Sequence, residues 1–214
     1  MRRLSLLTMF ALGCASAGEE TRPVDAMTAS SHVDAGGDGT QLDAATSSNP
    51  CAFSGVLATY AFAGETGSQT QTVATTMANG VPAGPLTRAA TLTATSGANS
   101  INSTNWSTAA QVDLTKFYTF TITPPSGCGM TISTIALDVK ASGTGPATGA
   151  LATSSDNFAT FKTVSTGAPS TVTASVTSSA MLEVRVYGYS ATSTGGTMRV
   201  QSTLTINGAL HSGQ

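Results

Sequence analysis

The sequence predicts an all-β fold: an antiparallel two-sheet β-sandwich of about eight strands, preceded by a disordered tether. Apolar and polar residues alternate in a series of short segments, and clusters rich in glycine, proline and serine separate those segments. No long segment shows the apolar spacing of an amphipathic α-helix. Short alternating strands with regular turn signals are typical of sandwiches and barrels.

The alternating segments provide most of the predicted strands. They lie at 56–62, 118–122, 135–139, 172–176, 182–186 and 198–206, with turn clusters at 63–67, 124–127, 142–146 and 194–196. The apolar parity changes between Ile132 and Ile135, which predicts a β-bulge or a break there. The segment 77–94 is ambiguous, because glycine and proline interrupt it repeatedly.

Residues 1–13 have the features of a cleaved signal peptide. Arg2 and Arg3 precede an apolar run from Leu4 to Leu12. A spanning helix needs about 20 apolar residues, so this run is too short to remain in a membrane. A positive start followed by a short apolar run is typical of a targeting peptide.

Cys14 is the predicted lipidation site. The residues before it, Ala11-Leu12-Gly13, resemble the lipobox of bacterial lipoproteins. The resemblance implies that the thiol carries a diacylglycerol, so that the membrane is a partner through the N-terminal lipid. Ala15 favours the outer membrane of the bacterial cell envelope. The alternative is ordinary secretion, with Ala15-Ser16-Ala17 as the cleavage site and Cys14 lost.

Residues 14–50 are predicted to form a flexible acidic linker. The stretch carries six acidic residues and one basic residue and has no apolar periodicity. Like charges and glycines keep such a segment extended, with a mean reach of roughly 30–35 Å. The acidic residues do not have the spacing of an EF-hand. The linker is therefore expected to present a domain at 51–214 away from the membrane surface.

The composition is poor in charge. Only 9% of residues are charged, the net charge is −2, and threonine, serine, alanine and glycine fill the difference. Nucleic acid is excluded as a partner, because its phosphates require a footprint of lysine and arginine. A hydroxyl-rich surface of this kind fits an exported bacterial protein.

Cys51 and Cys128 are predicted to form a disulfide. With Cys14 acylated they are an even pair in an oxidising compartment. The bridge would close a loop of about 77 residues. The chain-entropy relation predicts that a disulfide closing such a loop stabilises the folded state by roughly 4 kcal/mol. The alternative is two thiols too far apart to join.

The sequence contains few residues suited to catalysis. His32 lies in the linker and His211 near the C-terminus, so a serine triad, a cysteine nucleophile with its base, or a zinc hydrolase would lack a histidine inside the domain. The domain has five acids, each explicable as a turn or outward-facing residue: Glu65, Asp113, Asp138, Asp156 and Glu183. We therefore predict no enzyme activity, no metal and no cofactor, and keep a weak carboxylate hydrolase as a minor alternative.

Five polar and aromatic residues are the candidate ligand-binding set: Asn102, Asn105, Trp106, Tyr187 and Tyr189. Carbohydrate-binding sites use an exposed aromatic ring against a sugar face and amides for the hydroxyls. The alternative is structural: a lone tryptophan in a sandwich closes the core, and tyrosines fill a sheet edge.

Several segments together resemble a known module. They are Ala58–Gly64, Leu86–Arg88, Ser100–Trp106, Tyr118–Pro124, Ser154–Phe158 and Val186–Tyr189. They are similar to the jelly-roll modules of secreted bacterial proteins, often ones with PEP-CTERM sorting tags, over most of residues 53–208. The module's first strand often has aspartate where Ala61 stands, and its last often reads Trp-Arg-Ile-Asp-Asn where this chain has Met198–Ser202.

The resemblance implies a jelly-roll-like sandwich that is an extracellular binding or structural module. Combined with the signal, it predicts a lipid-anchored envelope protein with a non-catalytic binding module. The expected partner is a polysaccharide or an envelope protein. The alternative is a purely structural envelope or coat protein.

Overall fold

A computed structural model describes residues 49–78 and 80–213. The predicted signal peptide at 1–13, the lipidation site Cys14 and nearly all of the linker at 14–50 lie outside the described residues. Within the part of the chain that is described, no helix is long and apolar enough to cross a membrane.

The described residues form thirteen strands and one short 3₁₀-helix. The strands are β1 (Phe53–Ala61), β2 (Gln71–Thr72), β3 (Thr76–Met77), β4 (Leu86–Arg88), β5 (Thr93–Ala94), β6 (Ser100–Thr104), β7 (Phe117–Ile122), β8 (Cys128–Ala141), β9 (Pro146–Thr153), β10 (Lys162–Val164), β11 (Pro169–Ser178), β12 (Leu182–Ala191) and β13 (Met198–Ser212). The 3₁₀-helix η1 (Ser154–Asp156) follows β9. The predicted all-β class is confirmed, but the predicted count of about eight strands is too low.

The strands form two antiparallel sheets. The seven-stranded sheet has the order β11-β8-β13-β1-β3, with β6 pairing β13 and β5 pairing β6, and the six-stranded sheet has the order β10-β9-β12-β7-β4-β2. From β7 to β13 the chain alternates between the sheets, except that β9 and β10 are neighbours. The orders β11-β8-β13-β1 and β10-β9-β12-β7 are those of an eight-stranded jelly roll. The extra strands, β2 to β6, all lie in the single connection between β1 and β7.

Alternation within the strands fills the space between the sheets. In β12, Leu182, Val184 and Val186 point inward and are buried, and β13 contributes Leu204 and Ile206 in the same way. Such a pattern buries one face of each sheet and leaves the other face toward solvent.

Trp106 and Tyr118 in the main core have their polar atoms satisfied. Trp106 and Tyr118 meet edge to face with ring centroids 5.2 Å apart. The Trp106 Nε1 donates to the Ser103 carbonyl at 2.8 Å, and the Tyr118 hydroxyl donates to the Met198 carbonyl at 2.6 Å. Buried tryptophan and tyrosine need such partners, because an unpaired polar group is costly in an apolar interior.

A partly buried arginine links two parts of the β1–β7 connection. The Arg88 side chain donates to the Ser103 hydroxyl and to the carbonyls of Gln69, Gly67 and Asn102 at 2.6–3.3 Å. Burial lowers the pKa of Arg88. Two of these four acceptors lie near the start of the connection and two near its end. One guanidinium therefore joins its two ends through hydrogen bonds.

The predicted irregularity in β8 is confirmed. Ile132 pairs with Gly208 and Thr134 pairs with Asn207, so Ser133 has no partner across the ladder. The extra residue is a β-bulge, and it explains the change of apolar parity between Ile132 and Ile135.

The predicted disulfide is also confirmed. Cys51 and Cys128 are bonded, with Cα atoms 5.3 Å apart, and both are buried. The bond joins the segment before β1 to the first residue of β8, which lies two strands away in the same sheet.

Candidate ligand-binding groove

The five candidate residues divide into two groups. Asn102, Asn105 and Trp106 lie in and after β6, whereas Tyr187 and Tyr189 lie on β12 in the other sheet. The two groups are therefore not brought together in one cleft.

The first group is engaged in the fold. Trp106 has no exposed surface and Asn102 is 3% exposed. The amides of Asn102 and Asn105 donate to the carbonyls of Ser96 at 2.7 Å and Thr91 at 2.9 Å. In this structure Trp106 cannot stack on a ligand, because its indole is enclosed by the core.

The second group lies on the outer face of the six-stranded sheet. Side chains alternate between the two faces of β12, and Val184 and Val186 point inward. The residues at the alternate positions, Arg185, Tyr187 and Tyr189, therefore point outward. Gly188 separates the two tyrosines on the inner side. A Cβ atom there would lie 2.7 Å from the Met198 sulfur. The tight inner packing thus requires glycine between two outward-facing tyrosines.

Tyr187 is nevertheless buried. It pairs across the sheet with Ala150 on β9 and Phe117 on β7. The small alanine leaves room beside the phenol ring, and aromatic side chains cover it: Phe117 with ring centroids 5.8 Å apart and Phe161 at 5.7 Å. The result is a second, small apolar cluster outside the main core, to which Val112, Phe158 and Tyr189 also belong.

Arg185 joins this cluster to the sheet. Its guanidinium carbon lies 3.9 Å from the ring centroid of Phe158 and 4.2 Å from that of Phe117. Its Nε also donates to the Glu183 carboxylate at 2.7 Å. The cation is therefore engaged both by aromatic rings and by a carboxylate.

The pKa values of Glu183 and Tyr187 shift in directions that follow from these contacts. Partial burial raises the pKa of Glu183, but hydrogen bonds from Arg185 and Thr119 and the positive charge of Arg185 outweigh it, so the net pKa lies below the usual range. Burial raises the pKa of the Tyr187 phenol, and the nearby Arg185 only partly opposes this. Glu183 is therefore ionised and Tyr187 neutral near pH 7.

A groove of about 600 Å³ opens beside Tyr189. One wall is the segment 110–114, which precedes β7, and the other is the segment 157–161, which follows η1. The lining residues are apolar, aromatic or amide-bearing: Ala110, Gln111, Val112, Leu114, Asn157, Phe158, Ala159, Phe161 and Tyr189. We call this feature the Tyr189 groove. Its volume is in the range of small-ligand sites.

Each wall is shaped by an aspartate-capped turn. Asp113 accepts hydrogen bonds from the amide and hydroxyl of Thr115 at 2.9 and 2.6 Å. Asp156 accepts from the amides of Ala159 and Thr160 at 3.3 and 3.0 Å. Such local bonds are the reason that aspartate favours turns.

The second wall contains an unusual backbone conformation. Asn157 and Phe158 have φ values of 57° and 61°, in the left-handed region. Asparagine tolerates this region, but it is strained for a bulky residue such as phenylalanine. In this conformation the guanidinium of Arg185 lies over the Phe158 ring.

Large apolar side chains are exposed at the groove. Leu114 is 55% exposed on one wall and Phe161 is 42% exposed on the other. Tyr189 is half-buried between them on β12. Rings and apolar groups held open to solvent in a concave site are typical of ligand-binding surfaces.

Four of the five acidic residues of the domain have structural partners. Glu183 pairs with Arg185, Asp113 and Asp156 cap turns, and one oxygen of Asp138 accepts from Gln201 at 2.9 Å and Ser202 at 3.1 Å. Among residues 49–78 and 80–213, no three or more histidine, cysteine, aspartate or glutamate side chains cluster as metal ligands.

Sequence reasoning identified Tyr189 but missed the walls of the groove. Leu114, Phe161, Gln111 and Asn157 do not belong to any alternating strand. A usable signal was present: Leu114 directly follows Asp113 and Phe161 lies five residues after Asp156, and both are large apolar residues outside the predicted strands. In comparisons with known proteins, no family model, no curated protein and no solved structure matches the chain.

Proposed function

We propose that the protein is a lipid-anchored extracytoplasmic protein whose β-sandwich is a non-catalytic binding module for a polysaccharide of the cell envelope. The observation that carries this proposal is the Tyr189 groove, where exposed aromatic and apolar residues converge with amide groups. The signal-like segment and Cys14 support the anchor.

The chemistry of the groove matches that of a sugar. One face of a pyranose ring presents C–H groups that stack on an aromatic ring, and its hydroxyls both donate and accept hydrogen bonds. Tyr189 and Phe161 provide ring surfaces, and the amides of Gln111 and Asn157 provide paired donors and acceptors. A rigid sheet below the groove limits the entropy lost on binding.

The binding test uses the purified mature chain with glycan arrays and calorimetry. We expect Tyr189→Ala and Phe161→Ala to weaken binding at least tenfold, since each removes a stacking surface from the groove. Met181→Ala is the matched control, because Met181 is 60% exposed and lies outside the groove, between β11 and β12. Failure to bind any glycan, or equal loss in the control, would contradict the proposal and favour a structural coat protein.

The anchor has a separate test. Mass spectrometry of the mature N-terminus should find a diacylglyceryl group on Cys14, and membrane fractionation should place the protein with the outer membrane. Cys14→Ala should release it from the membrane fraction. An unlipidated chain that starts at Gly18 would contradict the anchor and leave secretion.

A further inference from the structure

We infer that the Tyr189 groove selects uncharged glycans and discriminates against acidic ones, with affinity that depends on stacking and amide hydrogen bonds and not on charge. This inference rests on the proposed function, and it specifies the chemical class of the ligand.

The lining of the groove provides no charged side chain. Its polar atoms are the amides of Gln111 and Asn157 and the hydroxyl of Tyr189, and its other residues are apolar or aromatic. A carboxylate or sulfate on a sugar would lose hydration on entering the groove. No lysine or arginine in the lining would compensate that cost.

The arginine of this sheet face is already engaged. Arg185 lies over the rings of Phe158 and Phe117 and donates to Glu183 at 2.7 Å, and its side chain is 23% exposed. The Glu183 carboxylate balances the positive charge of Arg185, so this ion pair offers an acidic sugar no net positive charge. The cation also holds Phe158 against the sheet.

The two wall segments and the residues next to them in sequence have no net charge. Asp113 and Asp156 stand in or beside the two walls, and Lys116 and Lys162 follow them in the sequence. Hydrogen bonds within the two turns lower the pKa of both aspartates, so both are ionised near neutral pH. The segments 110–116 and 156–162 therefore carry as many negative charges as positive ones, and their net charge gives an acidic glycan no attraction.

The test compares matched glycans that differ only in charge. The probes are cello-, malto- and manno-oligosaccharides and the derivatives of each in which the C6 hydroxymethyl groups are oxidised to carboxylates. We expect the best neutral probe to bind at least tenfold more tightly than its oxidised derivative. Its affinity should change less than twofold between about 50 and 500 mM NaCl, because no ion pair is screened.

A charge-gain variant makes the test sharper. Ala110 lines the groove and is exposed, so Ala110→Lys should improve binding of the oxidised probe at least fivefold and make it salt-dependent. Ala168→Lys adds the same charge at an exposed position between β10 and β11, and it should change neither.

The outcomes separate this inference from the proposed function. Tighter binding of the oxidised probe by the wild type, or a large loss of affinity with salt, overturns the preference for neutral glycans. If that binding is still lost in Tyr189→Ala, the groove remains the binding site. Absence of binding to every probe, charged or neutral, overturns both.

Discussion

The guanidinium of Arg185 lies over the ring of Phe158, 3.9 Å from its centroid. Phe158 belongs to one wall of the Tyr189 groove, and Phe117, which Arg185 also contacts, begins the strand that follows the other wall. One side chain on β12 therefore fastens the wall 157–161 to the sheet and contacts the neighbouring strand β7.

Arg185→Met should destabilise the fold and loosen the groove. The variant loses two cation–π contacts and an ion pair at a partly exposed site, which together are worth about 1–2 kcal/mol of unfolding free energy. Urea unfolding measures this loss, and calorimetry should show glycan affinity reduced several-fold. Arg199→Met removes an outward-facing arginine from the other sheet and should leave glycan affinity unchanged. Wild-type glycan affinity in Arg185→Met would show that the contacts of Arg185 do not shape the groove.

Glu183 should make stability depend on acid pH. Its pKa is lowered in the folded protein, so its contribution is complete above the unfolded value of about 4.3 and is lost as the pH falls through the folded value. The free energy of unfolding should therefore fall less steeply below about pH 5 in Glu183→Gln than in the wild type. Parallel urea titrations measure the two slopes, and identical slopes would show that the ion pair does not contribute.

The disulfide should provide a large share of the stability. Cys51 and Cys128 are 77 residues apart, and the chain-entropy relation gives about 4 kcal/mol for a loop of this size. The double variant Cys51→Ala with Cys128→Ala should unfold at a correspondingly lower urea concentration. Wild-type protein kept under reductant serves as the control and should resemble the double variant. A loss below about 1 kcal/mol would contradict this account.

Trp106→Phe should reduce stability without affecting ligand binding. The change removes the hydrogen bond to the Ser103 carbonyl and leaves that acceptor buried, at a cost of about 1–3 kcal/mol. Because Trp106 has no exposed surface, the folded variant should bind glycans as the wild type does. Weaker glycan binding by a fully folded Trp106→Phe protein would contradict this prediction and show that Trp106 contributes to ligand binding.

Much of the fold follows from local pattern. The alternation in 182–186 and 198–206 predicted β12 and β13, and the parity change predicted the bulge at Ser133. The strand count could not be predicted, because β2 to β6 are two to five residues long and lack a period. Pairing with distant strands places them, and Arg88 on β4 adds hydrogen bonds to β6 and to the segment before β2.

The all-β class and the strand faces could be predicted from the sequence, because a period of two residues is a local property. The Cys51–Cys128 disulfide was predicted from the number of cysteines in the domain, and the fold brings the two residues together. Tertiary structure alone decided that Tyr187 is buried while Tyr189 is open, although both point outward from β12. Phe117 and Phe161 approach from distant segments and cover one ring only. The spacing of residues along a strand predicts which face of the sheet a side chain lies on. Whether other residues cover that side chain depends on contacts between segments that are far apart in sequence.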